Sequence, residues 1–368
     1  MTKHEPLIHI AKRDGIAWWR AWLIRLAAVI LALLVSALFI YSITKLNPVK
    51  VYAGMWEGAF GTPRRAWITA RDASILLCIG VGLAPAFMMR FWNVGAEGQV
   101  LMGGCATAAV LIYWGRSLST PALLGIGLGA SLAAGALWGI VPALFKARWN
   151  TNETLFTLMM NYIAFQLTCF FVAKWENPKG SNSVGIINQQ TQAGWLPAVA
   201  GQQYLLNVII VLAVAVGMYL YLKYTKQGYE ISVVGESENT ARYAGISVRR
   251  VLIRTMAISG AVCGLSGFIA VAGASHTIST STAGGRGFTA IIVAWMARFN
   301  TFVMILIALL LVFLEKGAIQ IASQFHLNDY ASNVVTGIIL FFLLGSEFFI
   351  QYTVRFRSHK NKKEVAQA

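Results

Sequence analysis

A single acid, Glu97, stands in the stretch FWNVGAEGQVLMGG (91–104), with amides at Asn93 and Gln99 and four glycines close by. Long apolar runs flank it on both sides. A charge at a bilayer centre costs about 2.5–3.5 kcal/mol on insertion scales, so such residues persist where they do something. Three more ionisable side chains, Arg286, Glu315 and Lys316, lie in comparably apolar runs. Glu315 and Lys316 are adjacent, so they point to different faces of one helix and need separate partners. Intramembrane groups of this kind suit solute or ion movement. Other chemistry finds no support: the chain contains no G-x-x-x-x-G-K-[ST] cradle for ATP, no H-E-x-x-H and no G-x-S-x-G. His4, His9, His276, His326 and His359 are scattered, and no His/Cys cluster offers a metal site. Cys78, Cys105, Cys169 and Cys263 sit inside apolar runs without paired spacing and read as small buried hydrophobes. No catalytic residue, metal ligand or cofactor is expected.

The elements that position Glu97 follow from composition. Hydrophobic residues make up 57% of the 368, charged residues 12%, and mean hydropathy is +0.63. That is far more apolar than a soluble chain. Spanning backbone must satisfy its hydrogen bonds within each segment, so the expected fold is an all-α polytopic membrane protein. Apolar periodicity predicts about ten transmembrane helices, near 22–44, 66–90, 97–114, 119–145, 153–173, 203–223, 253–273, 286–298, 301–322 and 331–352. The first follows Lys3, Lys12, Arg13 and Arg20 without an A-x-A cleavage site, which reads as a retained anchor helix. The domain plan is then a cytoplasmic segment 1–21, a transmembrane domain 22–352 and a basic cytoplasmic tail 353–368.

With both termini cytoplasmic, most of the 30 lysines and arginines fall on the cytoplasmic side, as the positive-inside rule requires. Lys45, Lys50, Arg64, Arg65 and Arg71 fall in the first external loop and leave its topology open. The net charge of +16 reads as topology and attraction to anionic membrane lipid, not nucleic-acid binding, because no basic face is interleaved with exposed aromatics. Two loops are long: an external one at 175–202, which either touches a delivery protein or merely connects, and a cytoplasmic one at 224–252. In the second, Glu236, Ser237, Glu238 and Asn239 can start a short helix and Gly245 can stop it.

Four stretches in order carry a family resemblance: NVGAEGQ (93–99), TLFTLMMNYIA (154–164), GESENTARYAGI (235–246) and GGRGFTAIIVA (284–294). The chain resembles the permease subunits of bacterial ABC importers of the branched-chain amino acid, ribose and nucleoside superfamily, and among them the nucleoside branch. Two departures stand out: MARFNTF follows the last stretch where relatives commonly carry a glycine and an Asn-Pro pair, and Thr240 replaces a frequent alanine. The resemblance implies a translocation subunit in a bacterial cytoplasmic membrane, without its own ATPase site. ATP and Mg would bind a partner ABC ATPase, possibly a fused double one. The other implied partners are a second permease, favouring a heterodimer, and an extracytoplasmic substrate-binding lipoprotein. It also implies that the cytoplasmic loop docks in the ATPase through Glu236, Asn239, Arg242, Tyr243 and Gly245. A sugar ABC permease and an ion-coupled carrier are the alternatives.

Glycine then accounts for Glu97. Gly95 and Gly98 permit a helix break and close approach, and Asn93, Glu97 and Gln99 can satisfy the backbone groups the break frees. A second glycine-rich break holds Gly284, Gly285 and Gly287 and suggests two halves of inverted topology. Glu97 is read as a structural clamp, one that tolerates glutamine in its place. Asn161, Tyr162 and Met159, with Asn93 and Gln99, are the expected lining of a pathway for an uncharged amphipathic solute such as a purine nucleoside.

Overall fold

The structure, a computed structural model, describes residues 8–13, 16–326 and 329–356. Its helices are α1 (Trp18–Thr44), α2 (Pro48–Phe60), α3 (Pro63–Met88), α4 (Ala96–Trp114), α5 (Thr120–Trp149), α6 (Glu153–Trp175), α7 (Leu205–Tyr224), α8 (Lys226–Glu236), α9 (Glu238–Tyr243), α10 (Val248–Phe268), α11 (Arg286–Met296), α12 (Thr301–Gln324) and α13 (Asp329–Gln351). A π-helical turn, Ile269–Ser275, continues α10. Each expected span has its helix. Eight are long and apolar enough to cross a membrane; the other two positions hold shorter apolar helices, Arg286–Met296 and Gly337–Ile350. The chain is a multi-pass membrane protein whose spanning elements are helices.

Two compact units divide it, Thr62–Phe313 and the remainder. In the smaller unit, α1 packs with α13. A short ribbon, β1 (Ile8–Lys12) and β2 (Tyr352–Phe356), pairs antiparallel with Ile10 opposite Val354, which brings the outer ends of α1 and α13 to one side. The sequence reading had no such ribbon. Nor had it α2, whose start carries an ordinary signal: Asn47 Oδ1 accepts the Val49 amide at 2.9 Å and Pro48 occupies the first turn. Arg357, Lys360, Lys362 and Lys363 of the expected basic tail lie outside the described residues. Glu315 is exposed and Lys316 half-buried, on the adjacent faces their spacing dictates.

The larger unit is built around α3 and α10, both buried over most of their length. Helix α10 packs on α5, α4 and α3. Backbones meet directly along the α5–α10 seam, where a Cβ on Gly135 would run into the Gly260 carbonyl and one on Gly264 into that of Ser131. Close approach of small residues is how helices associate where lipid removes the hydrophobic incentive. Cys78, Cys105 and Cys263 are buried and Cys169 half-buried, all as free thiols. After α11, Arg298 and Phe299 both adopt left-handed backbone (φ 49° and 62°), a conformation costing roughly 1–2 kcal/mol for a residue with a side chain. This is the turn where the sequence departs from its relatives' glycine. Phe299 is held there by stacking on Phe87 and an edge contact with Trp295.

Candidate functional site: two helix breaks and the cavity between them

The first break lies between α3 and α4. Asn93, fully buried, accepts the Gly95 amide on Oδ1 at 3.0 Å, and its Nδ2 donates to Ser259 of α10 at 3.2 Å and to Gln99 at 3.4 Å. Helix α6 closes the opposite side. Thr157 Oγ1 accepts the Val94 amide at 3.2 Å; Asn161 Oδ1 accepts the Gly98 amide and its Nδ2 donates to the Val94 carbonyl, both at 2.9 Å. The bonds from Gly95, Val94 and Gly98, and the one to the Val94 carbonyl, satisfy backbone that helical geometry would otherwise have paired; those from Asn93 to Ser259 and Gln99 hold its amide in place.

The second break lies between the π-helical turn and α11. Gly284 and Gly285 take positive φ (59° and 75°), and α11 begins one residue later. Its free amides are met by Glu97: Oε1 accepts from Gly285 and Oε2 from Gly287, each at 2.7 Å. Short, charge-assisted bonds at a helix N-terminus combine a matched donor set with a favourable dipole. A Cβ on Gly287 would lie 2.5 Å from the Glu97 amide nitrogen, so only glycine lets the two breaks touch. The carboxylate that opens α4 thus caps a helix some 190 positions later.

Asn93, Gly95, Glu97, Gly98, Gln99 and Asn161 therefore form one cluster with Gly285 and Gly287, with Gly284 adjoining. Asn161 spends its amide on backbone. Tyr162 and Met159, its expected companions, face outward from α6, 63% and 48% exposed. Beside the second break, Arg286 points away from Glu97 toward a pair in α3. Asp72, 1% exposed, receives Arg71 Nε at 2.9 Å and Nη2 at 2.8 Å on Oδ1, while Arg286 Nη2 stands 3.5 Å from Oδ2. Arg71 also lies over the Tyr204 ring, 4.8 Å from its centroid. Arg71 is thus inside α3, not in a loop. Asp72 and Ser279, Ser281 and Thr282 escaped the sequence reading; an Arg-Asp pair within an apolar run was the available signal. These groups line a cavity of about 230 Å³. Next to it, His276 stacks on Trp195 at 3.7 Å, and neither ring nitrogen has a hydrogen-bond partner among the described residues. Burial and the nearby Arg71 hold its pKa below the ordinary histidine value. No group of three or more possible metal-binding side chains occurs among the described residues.

The loop 224–252 forms a separate surface. Glu236 ends α8; Ser237 Oγ accepts the Thr240 amide at 3.3 Å and caps the six-residue α9, and Gly245 leaves it at φ 77°. Buried Ala241 seats this helix, whereas Asn239 and Arg242 are exposed and Tyr243 is 94% exposed. Arg242 reaches Glu238 at 3.5 Å.

Comparison with known proteins agrees with this architecture. Residues 67–344 match the family described as branched-chain amino acid transport system/permease component. The chain is 31% identical to the guanosine ABC transporter permease protein NupP of Bacillus subtilis, covering 94% of this chain and 97% of that one. Identity is 25% to the glucose ABC transporter permease protein TsgB13 of Haloferax volcanii, over 94% and 93%. It is 26% to the nucleoside ABC transporter permease protein NupB of Lactococcus lactis, over 88% and 91%. With a match across most of its length, and glycine breaks that close on one another, the chain belongs to the branched-chain amino acid transport system permease family.

Proposed function

We propose that this chain is the translocation subunit of an ATP-driven importer of nucleosides, purine nucleosides above all. It works in a bacterial cytoplasmic membrane with ten membrane segments and both termini inside; the short α11 counts as one. ATP and Mg bind a partner ATPase, which docks on α9 and the residues flanking it, through Glu236, Asn239, Arg242, Tyr243 and Gly245. A second permease completes the pathway, and a substrate-binding lipoprotein delivers solute at the surface formed by residues 175–202.

The observation that carries the reading is the polar cavity beside the second break, in a chain whose relatives include permeases named for guanosine and for nucleosides. Its hydroxyls and guanidinium groups suit a solute bearing several hydrogen-bond acceptors. The cavity lies nine residues, about 14 Å, along α3 from its first residue. With both termini inside, α3 enters from the outer face, and this depth puts the cavity on the side that meets delivered solute. Asn93, Gln99 and Asn161 support the wall of this pathway and do not touch the solute; Tyr162 and Met159 face lipid or the second permease. A sugar permease is the second reading, favoured by the Haloferax relative. An ion-coupled carrier fits poorly with membership of this family.

Reconstitution with the partner subunits and ATP tests the proposal. Labelled guanosine and adenosine should accumulate in vesicles and ribose should compete poorly. Uptake of glucose or ribose, with nucleosides neither entering nor competing, would transfer the assignment to sugars.

A further inference from the structure

The cavity between α3, the π-helical turn and α11 holds more donors than its own acceptors use. Asp72 is the sole carboxylate of its lining, and its Oδ1 is occupied by Arg71 through two bonds. The hydroxyls satisfy one another: Ser279 lies 3.0 Å from Ser281 and 3.4 Å from Thr282, whose Oγ1 accepts the Ser279 amide at 2.9 Å. Arg286 is different. Its described partner is Asp72 alone, at 3.5 Å, and a guanidinium carries five N–H donors in a rigid fork. Two guanidinium groups against one carboxylate leave the lining with a net positive charge.

On the nucleoside reading above, we infer that this cavity is a subsite for the base of a 6-oxopurine nucleoside, and that Arg286 reads its edge. The keto oxygen O6 and the imidazole-ring nitrogen N7 of a 6-oxopurine are two acceptors spaced to take parallel N–H bonds from one guanidinium. A 6-aminopurine presents an amino donor at the same place, which faces the cation and leaves donors unpaired. The volume, about 230 Å³, falls below the roughly 300–1,000 Å³ of sites that enclose a whole drug-sized ligand. It accommodates one end of a nucleoside. Position argues for this residue too: Arg286 is the first residue of α11, flanked by the two glycines Glu97 holds, so its backbone is fixed while its side chain is loosely held. A solute acceptor has only the 3.5 Å contact to displace.

The test uses the complete transporter in vesicles, with one binding protein throughout, and measures guanosine and adenosine uptake from equal subsaturating mixtures. Arg286→Lys keeps the charge and loses the fork; the guanosine-to-adenosine uptake ratio should fall about 10-fold. Arg286→Gln offers an acceptor and a donor that match an adenine edge, and the ratio should drop further, with adenosine uptake above that of Arg286→Lys. A gain for adenosine cannot come from misfolding. An unchanged ratio in both variants overturns the inference, as does entry of guanosine monophosphate in preference to guanosine, which would make the cavity a phosphate site. Wild-type vesicles that accumulate no nucleoside reject the nucleoside reading itself, and this subsite with it.

Discussion

Glu97 uses both carboxylate oxygens as acceptors, one for Gly285 and one for Gly287. Glutamine has one acceptor oxygen and would turn its amide donor toward the second N–H. Geometry thus reverses the tolerance expected from the sequence, where a clamp needed only a polar end. Glu97→Gln should destabilise the folded chain by about 1–3 kcal/mol, the cost of a backbone donor left unpaired, and Glu97→Leu by more. Thermal unfolding in detergent measures both; a Glu97→Gln midpoint equal to wild type would show that the two amides do not depend on the carboxylate. Asn161 follows the same logic. Its Oδ1 and Nδ2 are committed to Gly98 and Val94, so Asn161→Leu should lower the amount of folded protein in the membrane and not uptake alone.

Among the elements, α5 and α10 show how far packing depends on glycine. Gly135 and Gly129 lie on one helix, but a Cβ at Gly135 would enter the Gly260 backbone, while Gly129 has nothing within 4 Å. Gly135→Val should force the helices apart and cost more than the roughly 1–3 kcal/mol of an ordinary overpacked site, because the obstacle is backbone and cannot rotate away. Gly129→Val should leave stability unchanged. Comparing the two in size-exclusion profiles and thermal midpoints checks the seam; equal behaviour would contradict it. Helix α11 makes a complementary point. At 11 residues it would be marginal alone, and it is fixed at its start by Glu97 and near its end by Trp295 stacked on Trp92 at 5.4 Å.

At the scale of the whole molecule, the proposed docking of an ATPase on the loop 224–252 predicts that changes there reach transport. Helix α9 is seated by Ala241 and leaves Tyr243 almost fully exposed. Arg242→Glu combined with Gly245→Val should uncouple ATP hydrolysis from uptake or detach the ATPase while the chain stays in the membrane. The charge reversal removes the Glu238 contact, and valine at φ 77° adds backbone strain of about 1–2 kcal/mol. Co-purification and uptake of the double variant measure this, and normal values for both would remove α9 from the docking surface.

The sequence by itself determined the helical membrane class, the position of each span within a few residues, and the two breaks, because hydropathy over some 20 residues and glycine clusters are local quantities. It also pointed to Glu97, Asn93 and Asn161, since isolated polar residues in apolar surroundings need partners. It did not determine who those partners are. That Glu97 caps α11 and not its own helix, that Asn161 serves backbone 63 to 67 positions away, and that Asp72 joins Arg71 to Arg286 depend on which helices lie side by side. The packing of α11 on α3 and α4, and of α6 on α4, settles that, and it is selected by shape complementarity between surfaces distant in the chain. No local pattern encodes it, so the cavity beside Arg286 exists only in the folded protein.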